Sequence, residues 1–103
     1  MKWITMAQAS ALLALAGWTQ VQAQPMDALQ VRRLAASCAA CHGTQGMAQP
    51  GRASLAGMNK EALLQTMLDF KTGKKPATLM HQISKGYSDE QLAALAAYFS
   101  SAR

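Results

Sequence analysis

Two cysteines and a histidine form the most chemically informative cluster of this sequence, Cys38-Ala39-Ala40-Cys41-His42. Cys-x-x-Cys-His is the pattern through which a c-type haem is attached covalently to a chain. On a helix the two thiols lie about one turn apart, so both can reach the vinyl groups of one porphyrin. We expect the imidazole of His42 to be the proximal axial ligand of the iron. The single motif predicts one covalent haem c.

Three other interpretations of a Cys-x-x-Cys pair have less support in this sequence. A thioredoxin-like dithiol requires a βαβ context, and no suitable β-rich run precedes Cys38. A zinc site requires four ligands, and Cys38, Cys41, His42 and His81 would supply only that minimum at an awkward spacing. A disulfide would close a very short loop and would constrain the unfolded chain little.

The sixth position of the iron needs a second ligand, for which the sequence offers five methionines and one histidine. Methionine commonly fills gaps in apolar cores, so each of these is by default a packing residue. Met80 differs because it follows a Lys-Pro pair in an irregular segment, far enough from His42 to reach the other face of a haem. We expect Met80 to be the distal axial ligand, which raises the reduction potential relative to a second histidine; His81 is its rival. The full set of candidates is Met26, Met47, Met58, Met67, Met80 and His81.

The first 23 residues have the features of a secretory signal peptide. Lys2 precedes an apolar stretch rich in Ala and Leu, and Ala23 provides a small residue at the cleavage position. An uncleaved anchor is the alternative, but the stretch is shorter than the ~20 apolar residues of a membrane span. We therefore predict a cleaved signal peptide at 1–23, one domain at 24–103 and a periplasmic location.

The residues after Ala23 predict helices and no strand. Apolar residues at helical spacing predict a first helix from Met26 to Cys38, which continues into the haem motif. The Gly- and Pro-rich segment from Gly43 to Gly57 cannot propagate a helix and is expected to pass close to the haem. We expect a carbonyl near Pro50 to accept the free ring N–H of His42.

Further helical segments follow this loop. Asn59 is a suitable N-cap for a helix from Lys60 to about Thr72. A helical turn at Thr78–Lys85 carries the candidate ligand methionine, and Ser88 with Gln91 forms a capping box for the last helix. We predict an all-α fold of three to four short helices wrapped around one covalent haem, with the N- and C-terminal helices crossing.

The sequence is basic, with 10 Lys and Arg residues against 5 acidic residues and a net charge of +5. A basic protein is suited to an acidic partner or an anionic surface, although a merely solvated basic face explains the charge equally well. The sequence contains no recognised nucleic-acid-binding motif. The candidates for a basic rim around the haem edge are Lys60, Lys71, Lys74, Lys75 and Lys85.

Most of the sequence after the signal peptide resembles the short bacterial class I cytochromes c. The resemblance lies in the haem motif followed by Gly43, in Ser54-Leu55-Ala56-Gly57, and in the tail from Met80 to Phe99. The stretch from Leu68 to Pro76 is similar to the cytochrome subunit of flavocytochrome c sulfide dehydrogenase. Some members of that branch carry two such domains, whereas this sequence contains one haem motif.

The resemblance also implies roles for particular residues. It makes Cys38 and Cys41 the thioether residues, His42 the proximal ligand and Met80 the distal ligand. It implies the class I cytochrome c fold around one haem c.

These features together predict a periplasmic mono-haem cytochrome that transfers single electrons and has no catalytic activity of its own. It is expected to serve either as the haem subunit that accepts electrons from an FAD-containing sulfide dehydrogenase subunit, or as a free carrier to a terminal oxidase or reductase. The expected partners are redox proteins, a flavoprotein subunit and acidic contact surfaces, without nucleic acid or a membrane span after signal cleavage. A peroxidase or gas-binding protein with an open distal site is a third alternative, which only His81 supports.

Overall fold

The computed structural model describes Gln22 and residues 24–103. Apart from Gln22, the predicted signal peptide lies outside the described residues. The part of the chain that the structure describes contains α-helices, one 3-10 turn at Thr44–Gly46 and no strand, which confirms the all-α prediction. The helices are α1 (Ala28–Ala36), α2 (Ala39–His42), α3 (Lys60–Thr72), α4 (Met80–Lys85) and α5 (Asp89–Ser101).

The first helix differs from its prediction at both ends. Asp27 is its N-cap, because the Asp27 carboxylate accepts the Gln30 N–H at 2.8 Å while the Gln30 side chain accepts the Asp27 N–H at 2.9 Å. This reciprocal pair is a capping box, which holds the helix start at Ala28. The helix ends at Ser37, and the haem motif forms its own single turn, α2. The predicted continuous helix is therefore two helices.

The longer helices begin and end as their caps predict. Asn59 Oδ1 accepts the N–H of Ala62 at 2.9 Å at the start of α3. Gly73 ends α3 in the left-handed conformation, with φ +80°. At the start of α5, Ser88 and Gln91 form the predicted capping box, with hydrogen bonds of 2.9 and 3.1 Å.

The buried core is small and is built mainly on α5. The terminal helices α1 and α5 pack against each other, and α3 packs against both α4 and α5. Small side chains, Ala35 on α1 and Ala96 on α5, belong to this core. Its other buried members are Leu63, Leu95 and Phe99. Much of the remaining apolar surface therefore faces a cavity, which is described below.

The segment between α2 and α3 is fastened to the end of α5 by its backbone. The Gly46 carbonyl accepts the N–H groups of Leu55 and Ala56 at 2.8 and 3.2 Å. The Gly57 N–H donates to the Phe99 carbonyl at 2.9 Å. Four residues of the segment line the cavity: Gly51, Arg52, Ala53 and Leu55. No helix among the described residues has the length and apolar character to cross a membrane.

Candidate functional site

A cavity of about 530 Å³ brings together the four residues predicted to hold the cofactor. Cofactor sites commonly measure about 300–1,000 Å³ and have mostly apolar walls. Cys38, Cys41 and His42 line this cavity from the haem motif, and Met80 lines it from the start of α4. The apolar wall is completed by Leu55, Met58, Leu63, Met67, Phe70, Leu79, Ile83, Leu95, Ala96 and Phe99.

The two cysteine thiols are both free and differ in their surroundings. Cys38 is half-buried and packs against the core, whereas Cys41 is exposed. Burial raises the pKa of the Cys38 thiol above its ordinary value and so favours the protonated form before a haem is attached. The two sulfur atoms are not joined in a disulfide.

The proton position on His42 follows from its hydrogen bond. His42 Nδ1 lies 2.6 Å from the carbonyl oxygen of Ala53. A carbonyl only accepts hydrogen bonds, so Nδ1 carries a proton, and in the neutral imidazole Nε2 is then the nitrogen with a lone pair for a metal. The acceptor lies in the predicted loop but three residues beyond Pro50, near which the sequence analysis had placed it. Nothing in the sequence singles out Ala53, because the acceptor is a backbone atom.

The cavity narrows the choice among the methionines. Met58, Met67 and Met80 line it, whereas Met26 and Met47 do not. Met58 and Met67 both pack against the buried core. Met80 is not among the residues packed on that core. Of the three methionines that line the cavity, Met80 is therefore the one whose side chain is not already packed on the core.

His81, the predicted rival of Met80, does not line the cavity. Its Nδ1 is buried and has no hydrogen-bond partner among the described residues. A ligand or an acid–base group for chemistry in the cavity must reach the cavity. The position of His81 therefore supports neither a histidine at the sixth position nor a distal catalytic histidine.

Among the described residues, the cavity lining includes two permanently charged cations and no acidic side chain. Arg52 lines the cavity from the segment between α2 and α3, and Lys75 lines it from the segment after α3. The Lys75 Nζ lies 5.5 Å from the centroid of the Phe70 ring, which itself lines the cavity. Sequence reasoning missed Arg52, whose only signal was a basic residue in a Gly-rich loop.

The predicted basic rim is only partly present at the cavity. Of its five lysines, Lys75 alone belongs to the lining. Lys71 is bound to Asp89 at 2.7 Å and has a side chain only 27% exposed, so its inclusion in a free rim was wrong. Lys60 and Lys74 contact acidic neighbours at 3.8 and 4.0 Å on exposed surface.

These residues fit a covalent haem and do not fit the alternatives. Two free thiols, a histidine with a free Nε2 and a soft thioether share one apolar cavity. The described residues contain no group of three or more His, Cys, Asp and Glu side chains that could hold a metal ion, which argues against a zinc site there. A thioredoxin-like βαβ unit is also absent from the described part of the chain. When bound, haem iron takes up and releases one electron.

Comparison with known proteins gives a family match over most of the chain. Residues 28–99 match the family described as cytochrome c oxidase, cbb3-type, subunit III. The chain is 38% identical over 66 residues to the cytochrome subunit of sulfide dehydrogenase from Chlorobaculum tepidum, covering 64% of this chain and 60% of that protein. It is 37% identical over 78 residues to cytochrome c-553 from Helicobacter pylori, covering 74% and 81%.

A solved structure supports the same fold. The structure of cytochrome c4 from Acidithiobacillus ferrooxidans matches with a TM-score of 0.59 and 36% identity, over 62% of this chain and 38% of that chain. The chain spans 60% of the length of the sulfide dehydrogenase subunit and 45% of the length of cytochrome c4 from Pseudomonas aeruginosa. The chain therefore belongs to the cytochrome c family, with the class I fold and covalent haem c as its cofactor.

Proposed function

We propose that this chain is an exported relay for single electrons, in which Cys38 and Cys41 form the thioether bonds and His42 and Met80 are the axial ligands. The observation that carries the proposal is the single cavity lined by all four residues. The lone pair on His42 Nε2 supports its role as the proximal ligand. The position of Met80 outside the core-packing methionines supports its role as the distal ligand.

Two protein ligands on the iron leave no coordination position for a substrate. The cavity lining also contains no carboxylate and no second histidine to act as a general acid or base. Both features support electron transfer over peroxidase or gas-binding chemistry. The function of the protein around the cofactor is then to fix the ligands, exclude water and set the reduction potential.

The contact surface proposed for redox partners is the mouth of the cavity beside α4. Leu79 and Ile83 line the cavity and are 54% and 37% exposed. Lys75 adds a positive charge to the same lining. An apolar centre with a nearby cation suits a small, short-lived contact with an acidic partner, as in other redox encounters.

The physiological role that we propose first is that of a haem subunit accepting electrons from an FAD-containing sulfide dehydrogenase subunit. The similarity to the cytochrome subunit of sulfide dehydrogenase supports this role. The second candidate is a freely diffusing carrier. It is supported by 40% identity over 68 residues to a protein from Thiomonas intermedia named thiosulfate dehydrogenase electron acceptor, of which this chain covers 31%.

Purification of the tagged protein from its native cells separates the two roles. A subunit is expected to elute with a flavoprotein at a fixed ratio, visible as flavin absorbance that stays with the haem absorbance through gel filtration. A free carrier is expected to elute alone. Anaerobic reductive titration of the chain, separated from any flavoprotein, is expected to consume one electron per haem. Uptake of carbon monoxide by the reduced protein without loss of a protein ligand would contradict the relay.

We also propose that residues 1–23 are removed during export, that the mature domain begins at Gln24 and that it resides in the periplasm. The apolar stretch and Ala23 at the cleavage position support this boundary. The intact mass of the periplasmic protein is the test. It should equal that of residues 24–103 plus one haem, and a mass that includes residues 1–23 would show an uncleaved anchor instead.

A further inference from the structure

We infer that Lys71 and Tyr87 hold the α4 segment against the haem-attachment segment and thereby determine how firmly Met80 remains on the iron. Together with their partners Ser37 and Asp89, these two residues are called the brace below. The inference deepens the proposed function and rests on the axial role proposed for Met80. Lys71 and Tyr87 are positioning residues, since neither lines the cavity.

Lys71 joins the end of α3 to the turn between α4 and α5. Its Nζ donates to the carbonyl of Tyr87 at 2.7 Å and to Asp89 Oδ1 at 2.7 Å. Hydrogen bonds from an ammonium group are about twice as strong as neutral ones. The Lys71 side chain is 27% exposed, whereas that of Lys74, one turn further along, is 76% exposed. Lys71 is therefore a structural cation, and Lys74 is a solvated one.

Tyr87 joins the same turn to the residue before the first attachment cysteine. Its hydroxyl lies 2.8 Å from Ser37 Oγ. Ser37 Oγ donates its own hydrogen to the Leu34 carbonyl at 2.9 Å, so the Tyr87 hydroxyl is the donor in this pair. Ser37 immediately precedes Cys38. The brace thus connects the segment that carries Met80 to the segment that carries the haem thioether.

The α4 segment packs against α3 but has few buried side chains and weak capping of its own. Its helix has six residues, and its N-cap Leu79 makes no side-chain capping bond. Short helices are marginal without tertiary support. Ser84 is the one α4 residue that is buried, and its Oγ lies 4.0 Å from the Met67 sulfur, which is a weak contact. Two residues of the segment, Leu79 and Ile83, are large and exposed.

A six-residue helix with one buried side chain opens at a lower free-energy cost than the longer helices of the core. An external ligand can bind the iron only when Met80 has left it, so its apparent affinity increases with the population of the open state. Lys71 donates two charge-assisted hydrogen bonds, of which the one to the 69% exposed Asp89 is weakened by solvent. Loss of the Lys71 contacts should therefore increase this affinity about tenfold, which corresponds to about 1.4 kcal/mol.

The test is an imidazole titration of the ferric holoprotein, followed by the loss of the Met–iron charge-transfer band. Lys71→Met is expected to bind imidazole about tenfold more tightly than the wild type, and Tyr87→Phe severalfold more tightly. Lys74→Met removes the same charge three residues away and is expected to leave the affinity unchanged. Lys71→Arg keeps the charge and the donors and should restore most of the wild-type affinity.

Wild-type imidazole affinity in both Lys71→Met and Tyr87→Phe would overturn the inference, as would an equal increase in Lys74→Met. If Lys71→Met does not yield holoprotein, Tyr87→Phe decides the question alone. A denaturant titration of each variant separates opening of α4 from global unfolding, because the brace predicts a change in imidazole affinity at denaturant concentrations where the protein is folded. Absence of the Met–iron band in the wild type would instead refute Met80 as the ligand. Failure of the brace is therefore distinguishable from failure of the proposed ligand.

Discussion

At the scale of single residues, one backbone carbonyl determines which nitrogen of His42 can bind a metal. Because Nδ1 donates to the Ala53 carbonyl over 2.6 Å, Nε2 is the ring nitrogen whose lone pair the neutral imidazole can offer to a metal. In a metal-bound histidine, the hydrogen bond from the other ring nitrogen also fixes the orientation of the ring. The segment between α2 and α3 therefore takes part in the site through its backbone, and its position matters more than the Ala53 side chain.

The charge of Lys75 should raise the reduction potential. The reduced centre has one positive charge fewer than the oxidised centre, so a cation on the cavity wall favours reduction. Lys75→Gln is expected to lower the midpoint potential by roughly 20–60 mV, where 59 mV is a tenfold change in a one-electron equilibrium. Spectroelectrochemical titration measures this shift. Lys74→Gln, which removes an exposed charge outside the cavity lining, is the control; an equal shift there would refute a specific role for Lys75.

The side chains that would bind the haem could be predicted from the sequence, whereas the atoms that hold those side chains in position could not. The spacing of Cys38, Cys41 and His42 predicted the attachment motif, because each of these side chains has distinctive chemistry. The Ala53 carbonyl was not predictable to the residue, since every residue has a carbonyl. The partners of Lys71 were likewise hidden, because Tyr87 and Asp89 are distant in sequence and an isolated lysine is usually a solvated one.

At the scale of elements, the segment between α2 and α3 depends on a glycine that admits no side chain. Gly46 is buried, and a Cβ there would lie 2.8 Å from Ala56 N and 2.9 Å from Phe99 Cδ1. Its φ of +79° adds a conformational cost for other residues. This close approach allows the segment to pack on α5 and present Ala53 to His42.

Gly46→Ala should therefore destabilise the protein more than Gly51→Ala. Gly51 has a similar φ of +89°, but nothing lies within 4 Å of a Cβ there. The positive φ costs about 1–2 kcal/mol at either position, and overpacking at Gly46 adds about 1–3 kcal/mol. The free energy of unfolding of the two holoproteins, measured with denaturant, gives the comparison. Equal losses would show that the segment moves aside to accommodate the methyl group.

Helix boundaries were predictable where a cap residue stood at the boundary. Asn59, Gly73 and Ser88 gave the ends of α3 and the start of α5 correctly. The Asp27 capping box was overlooked, although Asp27 followed three residues later by Gln30 is a recognisable signal. The break at Ser37 has no local signal, because the hydrogen bonds of its hydroxyl reach Leu34 and the distant Tyr87.

At the scale of the whole molecule, several residues of the buried core also line the cofactor cavity. Leu63, Leu95 and Phe99 belong to both. Since a small domain buries only about 60% of its unfolded surface, a bound apolar cofactor contributes to stability as well as to function. The helical spacing of the apolar residues and the cap residues predicted an all-α domain, but the assembly of this cavity depends on the packing of α3, α4 and α5, which no local pattern specifies.

The proposed mature domain, residues 24–103, has nine Lys and Arg residues against five acidic residues. This net charge of +4 should make its association with an acidic redox partner sensitive to salt. The Debye length falls from about 30 Å at 0.01 M to about 8 Å at 0.15 M ionic strength. The second-order rate of reduction by an acidic partner is therefore expected to fall steeply over this range, by about tenfold or more. Stopped-flow kinetics measures it. A rate independent of ionic strength would remove electrostatic attraction from the account of partner binding.

The central claim is that Met80 is the distal ligand, and the ferric Met–iron charge-transfer band tests it most directly. The band should be present in the wild type and absent in Met80→Leu. Met67→Leu and Met58→Leu are matched controls, because both methionines line the same cavity but pack on the core; both variants should keep the band. Persistence of the band in Met80→Leu, or its loss in Met67→Leu or Met58→Leu alone, would contradict the account.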